Sequence, residues 1–427
     1  MTSEYGHKLN PHRKLRMQKG IKGIRRTLFN THVPSTIDQN SLLVVRFPDL
    51  GKDDVIVPGT SKLSFKVQLN SDDDANRTIV SNLGRAIVSK LEVKLEGTSI
   101  FTLDDSDIFL CYQDLWKTTN ERENAVYQGI QSEALRKIRI NAGDKGTDAK
   151  DVAIGTAYSN MFCIPLDFEI LESHQPFFQS ELKDRLSYEL TFNNYGKVIV
   201  STDNEASYNI TDISLEFEVI TSAELASALR QKHQGKNTIL YDRVVRHSKL
   251  SLNKSETLWN ISLSPQAKSM KGVLILFVDP NDGGASYGRD SEKFYNPKIK
   301  NVSITLEGDP NQLFASGMRP HQHFPEITKI FSDYKHRTNT NVAKELELAD
   351  VKLPDYLTTK YGLWIDMRTT DDDSLHGSGR KISGSTNSIQ ILIEKTAESA
   401  GNLDAYVYYI HDAQLNFEKS RLVSTIY

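Results

Sequence analysis

The sequence predicts an all-β protein made of two β-sandwiches in tandem, and three observations carry that reading. Apolar residues alternate with polar ones at every second position from about residue 41 onward. The alternating segments recur, in the same order, in the second half of the chain. No regular succession of strands and long helices appears, which argues against a doubly wound or α/β-barrel architecture.

The elements follow in chain order. Residues 1–26 carry eight Lys or Arg (Lys8, Arg13, Lys14, Arg16, Lys19, Lys22, Arg25, Arg26) against one Glu, a local charge of +7. The whole chain has a formal charge of −3, so the remainder carries −10. With Gly20, Gly23 and no apolar period, this stretch reads as a basic arm that could contact nucleic acid or an anionic surface, or as a solvated tail.

The body begins with "LLVVRFP" at Leu42–Pro48, followed by "KLSFKVQL", which places Leu63, Phe65, Val67 and Leu69 on one face. A strand with one wet side belongs to an antiparallel sheet packed on another sheet, since strands of buried parallel sheets read as continuous apolar runs. "VSKLEVKLEG" ends at Gly97, and a long connection, 98–157, follows. Within it "DIFLCYQDLW", Asp107–Trp116, has helical spacing, as does "SEALRKIRI" further on. "FCIPL", "YELTF" and "ITDISLEFE" complete the first unit. "TSAELASALRQKHQG" then opens with Thr221 and Glu224 at capping-box spacing and closes at Gly235, predicting a joining helix.

After that boundary the series restarts. "LWNISLSP" lies over "LLVVRFP", "IKNVSITLEG" over "VSKLEVKLEG", "LWIDM" over "FCIPL", "IQILI" over "YELTF", and "IHDAQLNFE" over "ITDISLEFE". The second long connection, 309–360, includes "FPEITKIFSDY". The units are therefore an arm at 1–26, a first sandwich at 27–235 and a second at 236–427. Apolar residues at 38% and charged residues at 25% fit ordinary globular chain, and each copy is long enough to bury a large core. The longest apolar run, "GVLILFV" at Gly272–Val278, falls far short of the ~20 residues that span a bilayer. The polar start has no signal-peptide core, and Cys111 and Cys163 in apolar contexts read as buried thiols of a reducing compartment.

Candidate chemistry is sparse. "GASYG" at Gly284–Gly288 fits a nucleophile pattern around Ser286, but no strand runs straight into it. "HQHFPE" offers His321, His323 and Glu326 as a partial metal set of bicupin type, with a polar loop as the plainer alternative. The acidic runs Asp72–Asp74 and Asp371–Asp373 lack the glycine turn and bidentate partner of a calcium loop. Trp259 and Trp364 would stack on sugars if exposed, giving a tandem β-sandwich glycan binder, but their alternating apolar contexts favour the core. No catalytic residue, cofactor or metal site is assigned.

The segment "NLGRAIVSKLEVKLEGTSIFTLDDSDIFLCYQDLWKTTNERENAVYQG" resembles the major capsid proteins of the adenovirus, Polinton (Maverick), adintovirus and virophage lineage. There, a strand ending in Gly is followed by a polar spacer, a Tyr- and Leu-rich helix and a polar turn. Gly97, Tyr112, Leu115 and Trp116 occupy the matching places, although "DIFLCYQD" stands where a Tyr-x-Tyr is commoner. The segment covers about a tenth of the chain.

The resemblance implies a double jelly-roll, each sandwich having two four-stranded sheets with a few short helices in the long connections. It implies a homotrimer forming a pseudo-hexameric capsomer of an icosahedral capsid, with neighbouring capsomers, penton and minor capsid proteins as partners. The protein would reside in the virion and be assembled inside the host cell, with no enzymatic activity. The long connections are expected to meet and to supply trimer contacts through Tyr112, Trp116, Phe324, Phe331 and Tyr334. The arm is expected to face the interior, towards a dsDNA genome or an inner membrane.

Overall fold

The computed structural model describes residues 25–33, 36–57, 59–70, 78–130, 161–166, 185–202, 204–233, 236–284, 287–311, 313–331, 351–369, 378–386, 388–396, 399, 401–418 and 421–427. The first half contributes β1 (Arg25–Val33), β2 (Leu42–Arg46), β3 (Asp54–Ile56), β4 (Lys62–Asn70), β5 (Thr78–Ile79) and β6 (Val88–Leu95). It continues with β7 (Thr98–Asp104), β8 (Met161–Pro165), β9 (Leu186–Phe192), β10 (Ile199–Val200) and β11 (Ser207–Thr221). The second half contributes β12 (Lys236–Leu252), β13 (Leu258–Leu263), β14 (Gln266–Val278), β15 (Ile299–Leu306) and β16 (Asp309–Pro310). It ends with β17 (Gly362–Asp366), β18 (Arg380–Ser383), β19 (Ile389–Lys395), β20 (Leu403–Glu418) and β21 (Arg421–Ile426).

Each half contains a pair of sheets with one strand order, and the first half adds a two-stranded sheet of β5 and β10. In the first half the sheets run β1-β11-β4-β8, with β3 added against β11, and β2-β9-β6-β7. In the second they run β12-β20-β14-β17, with β18 and β21 added, and β13-β19-β15-β16. Facing side chains close each sandwich: Phe47, just past β2, lies 5.1 Å from Phe217 on β11, and Trp259 on β13 lies 6.0 Å from Phe277 on β14. All ladders between these strands are antiparallel. Every repeated segment of the sequence falls on strands of equal rank: β2 and β13, β6 and β15, β8 and β17, β9 and β19, β11 and β20.

That correspondence explains the repeated nonamer, "ITDISLEFE" and "IHDAQLNFE". Ile210 and Leu215 are an odd number of residues apart, so a regular strand would put them on opposite faces. Both are fully buried, because the ladder to β4 slips between Thr211 and Ser214, where Asp212 adopts a positive φ of 49°. The bulge returns Ile213, Leu215, Phe217 and Val219 to the core face. In the second half the irregularities lie on the partners of β20, at Met270/Gly272 on β14 and Arg246/Ser248 on β12. Each fully buried Leu, Val or Phe contributes ~1.5–3 kcal/mol, so a one-residue slip of either strand is strongly disfavoured.

Local sequence sets the turns. Glu96 and Gly97 have φ of 45° and 84°, and Glu307 and Gly308 have 51° and 95°, the two consecutive left-handed residues of a type I′ hairpin. These turns send the chain back as β7 and β16, so the connections read as starting at 98 and 309 begin with strands. Similarly, β11 keeps its pairing through Thr221, whose hydroxyl donates to Asp54 at 2.5 Å. The joining helix therefore starts one residue later than the capping-box spacing predicts: Ser222 caps Ala223–His233, accepting from the Leu225 amide at 3.3 Å. Gly235, "SEALRKIRI" and both acidic runs lie outside the described residues.

Candidate functional site

The two jelly-rolls meet at a joint built from their equivalent long connections. The helix Ser106–Leu115 follows β7 in the first half, and the helix Pro320–Phe331 follows β16 in the second. The Tyr112 ring lies edge-on to Phe331 at 5.6 Å and to Phe294 at 4.9 Å. Trp116 stacks with Phe331 at 6.1 Å and approaches Phe324 at 6.2 Å, while Phe109 reaches Tyr408 on β20 at 5.3 Å. Edge-to-face and offset pairs of this kind add ~0.5–1.5 kcal/mol each beyond area burial. Gly362 makes room, because a Cβ there would fall 2.4 Å from the Tyr112 hydroxyl oxygen.

Charges cross the same joint. Arg289 Nη1 lies 2.8 Å from Asp107 Oδ2, with both side chains essentially without solvent exposure. Arg246 Nε lies 2.6 Å from Asp105, and Arg122 Nη2 donates to both oxygens of Glu292 at 2.9 and 3.1 Å. Ser81 donates to the same Glu292, and the Tyr241 and Tyr408 hydroxyls donate to the carbonyls of Ile100 and Asp105. Backbone bonds join the halves too: Tyr287 donates to the Gly196 carbonyl and accepts from the Ser201 amide, both at 2.9 Å.

Burial alone would lower the Arg289 pKa, but Asp107 overrides it and raises it. Burial, followed by the neighbouring Asp107, raises the Asp105 carboxyl against the opposing pull of Arg246. The Cys111 thiol is driven well up by burial, with Arg289 opposing, so it is inert as a nucleophile. Cys163 is half-buried rather than buried.

The aromatic residues expected at a trimer contact are thus brought together, but within one chain. Tyr112 and Trp116 are covered by the other half of their own molecule, Phe324 and Phe331 are half-buried, and Tyr334 lies outside the described residues. Of the basic arm, Lys8, Arg13, Lys14, Arg16, Lys19 and Lys22 also lie outside them. Arg25 and Arg26 already belong to β1, opposite Thr221 and Ile220.

The partial metal set is neither strand nor loop. His321, His323 and Glu326 sit on the helix Pro320–Phe331, and His323 Nδ1 is bonded to the Tyr361 hydroxyl at 2.8 Å. No group of three potential metal ligands occurs among the described residues. Trp259 and Trp364 are buried in the sandwich cores, so neither offers a stacking face to a sugar. Ser286 lies outside the described residues. Sequence reasoning missed the ion pairs of the joint, because the members of each pair lie far apart in the chain and nothing local marks either as paired.

Two jelly-rolls of identical strand order, docked side by side in one chain, define the double jelly-roll fold. No protein-family model matches the sequence, and no curated protein matches it. Solved structures do. The chain superposes on the PBCV-1 virus capsid protein with a TM-score of 0.61 at 11% identity, covering 94% of this chain and 97% of that one. On a chain of the Sputnik virophage structure the TM-score is 0.60 at 10% identity, covering 98% and 92%. On the mavirus major capsid protein it is 0.50 at 12% identity, covering 94% and 90%. The fold is that of double jelly-roll major capsid proteins.

Proposed function

We propose that this chain is a viral major capsid protein whose three copies form one pseudo-hexameric capsomer of an icosahedral shell. The observation that carries the reading is the strand order repeated in both halves and locked across a buried joint. A closed trimer has only threefold symmetry, and a duplicated domain gives it six similar wedges, so one gene product can fill a sixfold lattice site. Such a wedge must be rigid. The joint supports rigidity because opening it would strand buried charges and aromatic surface together.

Surface remains for neighbouring subunits. Leu42 and Leu258 open the equivalent edge strands β2 and β13, and are 54% and 57% exposed. The fully buried centre of a subunit contact is more apolar than the rest of the surface. Neighbouring capsomers, penton and minor capsid proteins would complete the shell, and the protein would reside in the virion. The arm, residues 1–24 with β1 beginning at Arg25, would point inward to phosphate of a dsDNA genome or to an anionic inner membrane. Light scattering on the purified protein tests the reading: a species of three chain masses is expected, and a monomer at every concentration would overturn it.

A further inference from the structure

The second jelly-roll carries a row of three charged side chains across adjacent strands. Asp242 on β12 and Asp412 on β20 are direct partners in the ladder, and Lys271 sits at the bulge of β14, the next strand over. Lys271 Nζ lies 2.6 Å from Oδ1 and 2.5 Å from Oδ2 of Asp242, and 3.5 Å from Oδ1 of Asp412. Solvent is largely kept away: the side chains are 13% exposed for Lys271, 28% for Asp242 and 3% for Asp412. Asp412 is held in place by the Ser269 hydroxyl, which donates to it and accepts from the Gly379 amide at 2.8 Å.

We propose that this row is a self-modification site that closes an isopeptide bond between Lys271 and Asp242, with Asp412 as the catalytic residue. An amine hydrogen-bonded to both carboxylate oxygens also stands beside the carbon between them, and a turn of the carboxyl about its Cβ–Cγ bond would present that carbon in a near-attack arrangement. Asp412 takes a proton from the ammonium and passes it to an Asp242 oxygen, so that the freed Nζ forms a bond to the Cγ of a neutral carboxyl. The Cγ–O bond then breaks, and the departing oxygen leaves as water with two of the three ammonium protons, one of them handed on by Asp412. Ammonium plus carboxylate become amide plus water, no redox partner is needed, and Asp412 ends as it began. Two largely desolvated charges disappear in the step, which removes a standing cost of the folded state.

The product would tie the edge strand β12 to β14 across β20. It would thereby secure the strand whose Tyr241 bonds to the first jelly-roll. The inference is independent of the capsid reading, since it concerns one chain and no assembly.

The test is the intact mass of the purified full chain in denaturant, followed by peptide mapping. The expected result is a mass lower than the sequence mass by one water, with a branched peptide joining Lys271 to Asp242. Lys271→Arg and Asp242→Ala should restore the full mass, and Asp412→Ala should leave the bond unformed. The wild-type protein decides the matter even if a variant fails to fold. A full sequence mass with Lys271 and Asp242 in linear peptides overturns the proposal, as does a water loss confined to Asp282–Gly283. A branched peptide that persists in Asp412→Ala overturns the role of Asp412.

Discussion

Replacing Arg289 by methionine removes one partner of the ion pair with Asp107 and leaves a carboxylate with no exposed surface at the centre of the joint. Breaking a buried pair in this way costs ~3–5 kcal/mol, because the remaining charge stays desolvated. Lys197 Nζ stands 4.0 Å from the same Asp107 oxygen and recovers part of the loss, so the lower end, about 3 kcal/mol, is expected. At about 1.4 kcal/mol per factor of ten, that is a change of at least ~100-fold in the opening equilibrium of the joint. Hydrogen exchange read peptide by peptide is the assay. Amides of the helix Ser106–Leu115 should exchange ~100-fold faster in the variant, while those of β9, in the middle of its sheet, should hardly change. The double variant Asp107→Leu, Arg289→Met removes both charges and should return to within about 1 kcal/mol of the parent. If the single variant exchanges like the parent, or the double variant is as loose as the single, the pair does not hold the joint and the reasoning fails.

His323 and His411, both lowered to about 4 chiefly by burial, predict an acid-sensitive fold. Between the ordinary value near 6.5 and about 4 the unfolded chain binds more protons than the folded one, so stability is full above that window and is lost as pH falls through it, by up to ~3 kcal/mol per histidine. Urea titrations at pH 7 and pH 4.5 check this, and equal midpoints would contradict it. Gly362→Ala forces a methyl against Tyr112 and should destabilise by ~1–3 kcal/mol, seen as a lower urea midpoint; an unchanged midpoint would mean that the joint has slack. Removing residues 1–24 spares β1 and should leave oligomeric state unchanged while lowering the salt dependence of DNA binding by ~0.9 in log-log slope per lost phosphate contact. An unaltered slope would show that the arm does not touch phosphate.

The strands were legible because a half-buried strand writes its burial into every second residue. Leu63, Phe65, Val67 and Leu69 alternate in the sequence and are all buried in β4. The duplication was legible for the same reason, since equivalent strands meet equivalent neighbours. Less was visible where structure depends on distant partners. Arg122 and Glu292 are 170 residues apart, and nothing local marks either as paired.

The aromatic residues of the long connections were read as trimer contacts, and the packing of Tyr112 and Trp116 is with their own chain. A sequence cannot tell a partner in the same chain from one in another. "HQHFPE" misled because His321, His323 and Glu326 fit part of a metal set on a strand, with a polar loop as the alternative. Yet Phe324, Ile327 and Phe331 keep helical spacing, and Pro320 starts the helix where its missing N–H costs nothing.

The most direct test of the central claim is an electron micrograph of the purified full-length protein in negative stain. Class averages should show particles of three subunits with a hexagonal outline, six lobes around a threefold axis. Two-lobed monomers under all conditions, or rings of any other symmetry, would contradict the capsomer account.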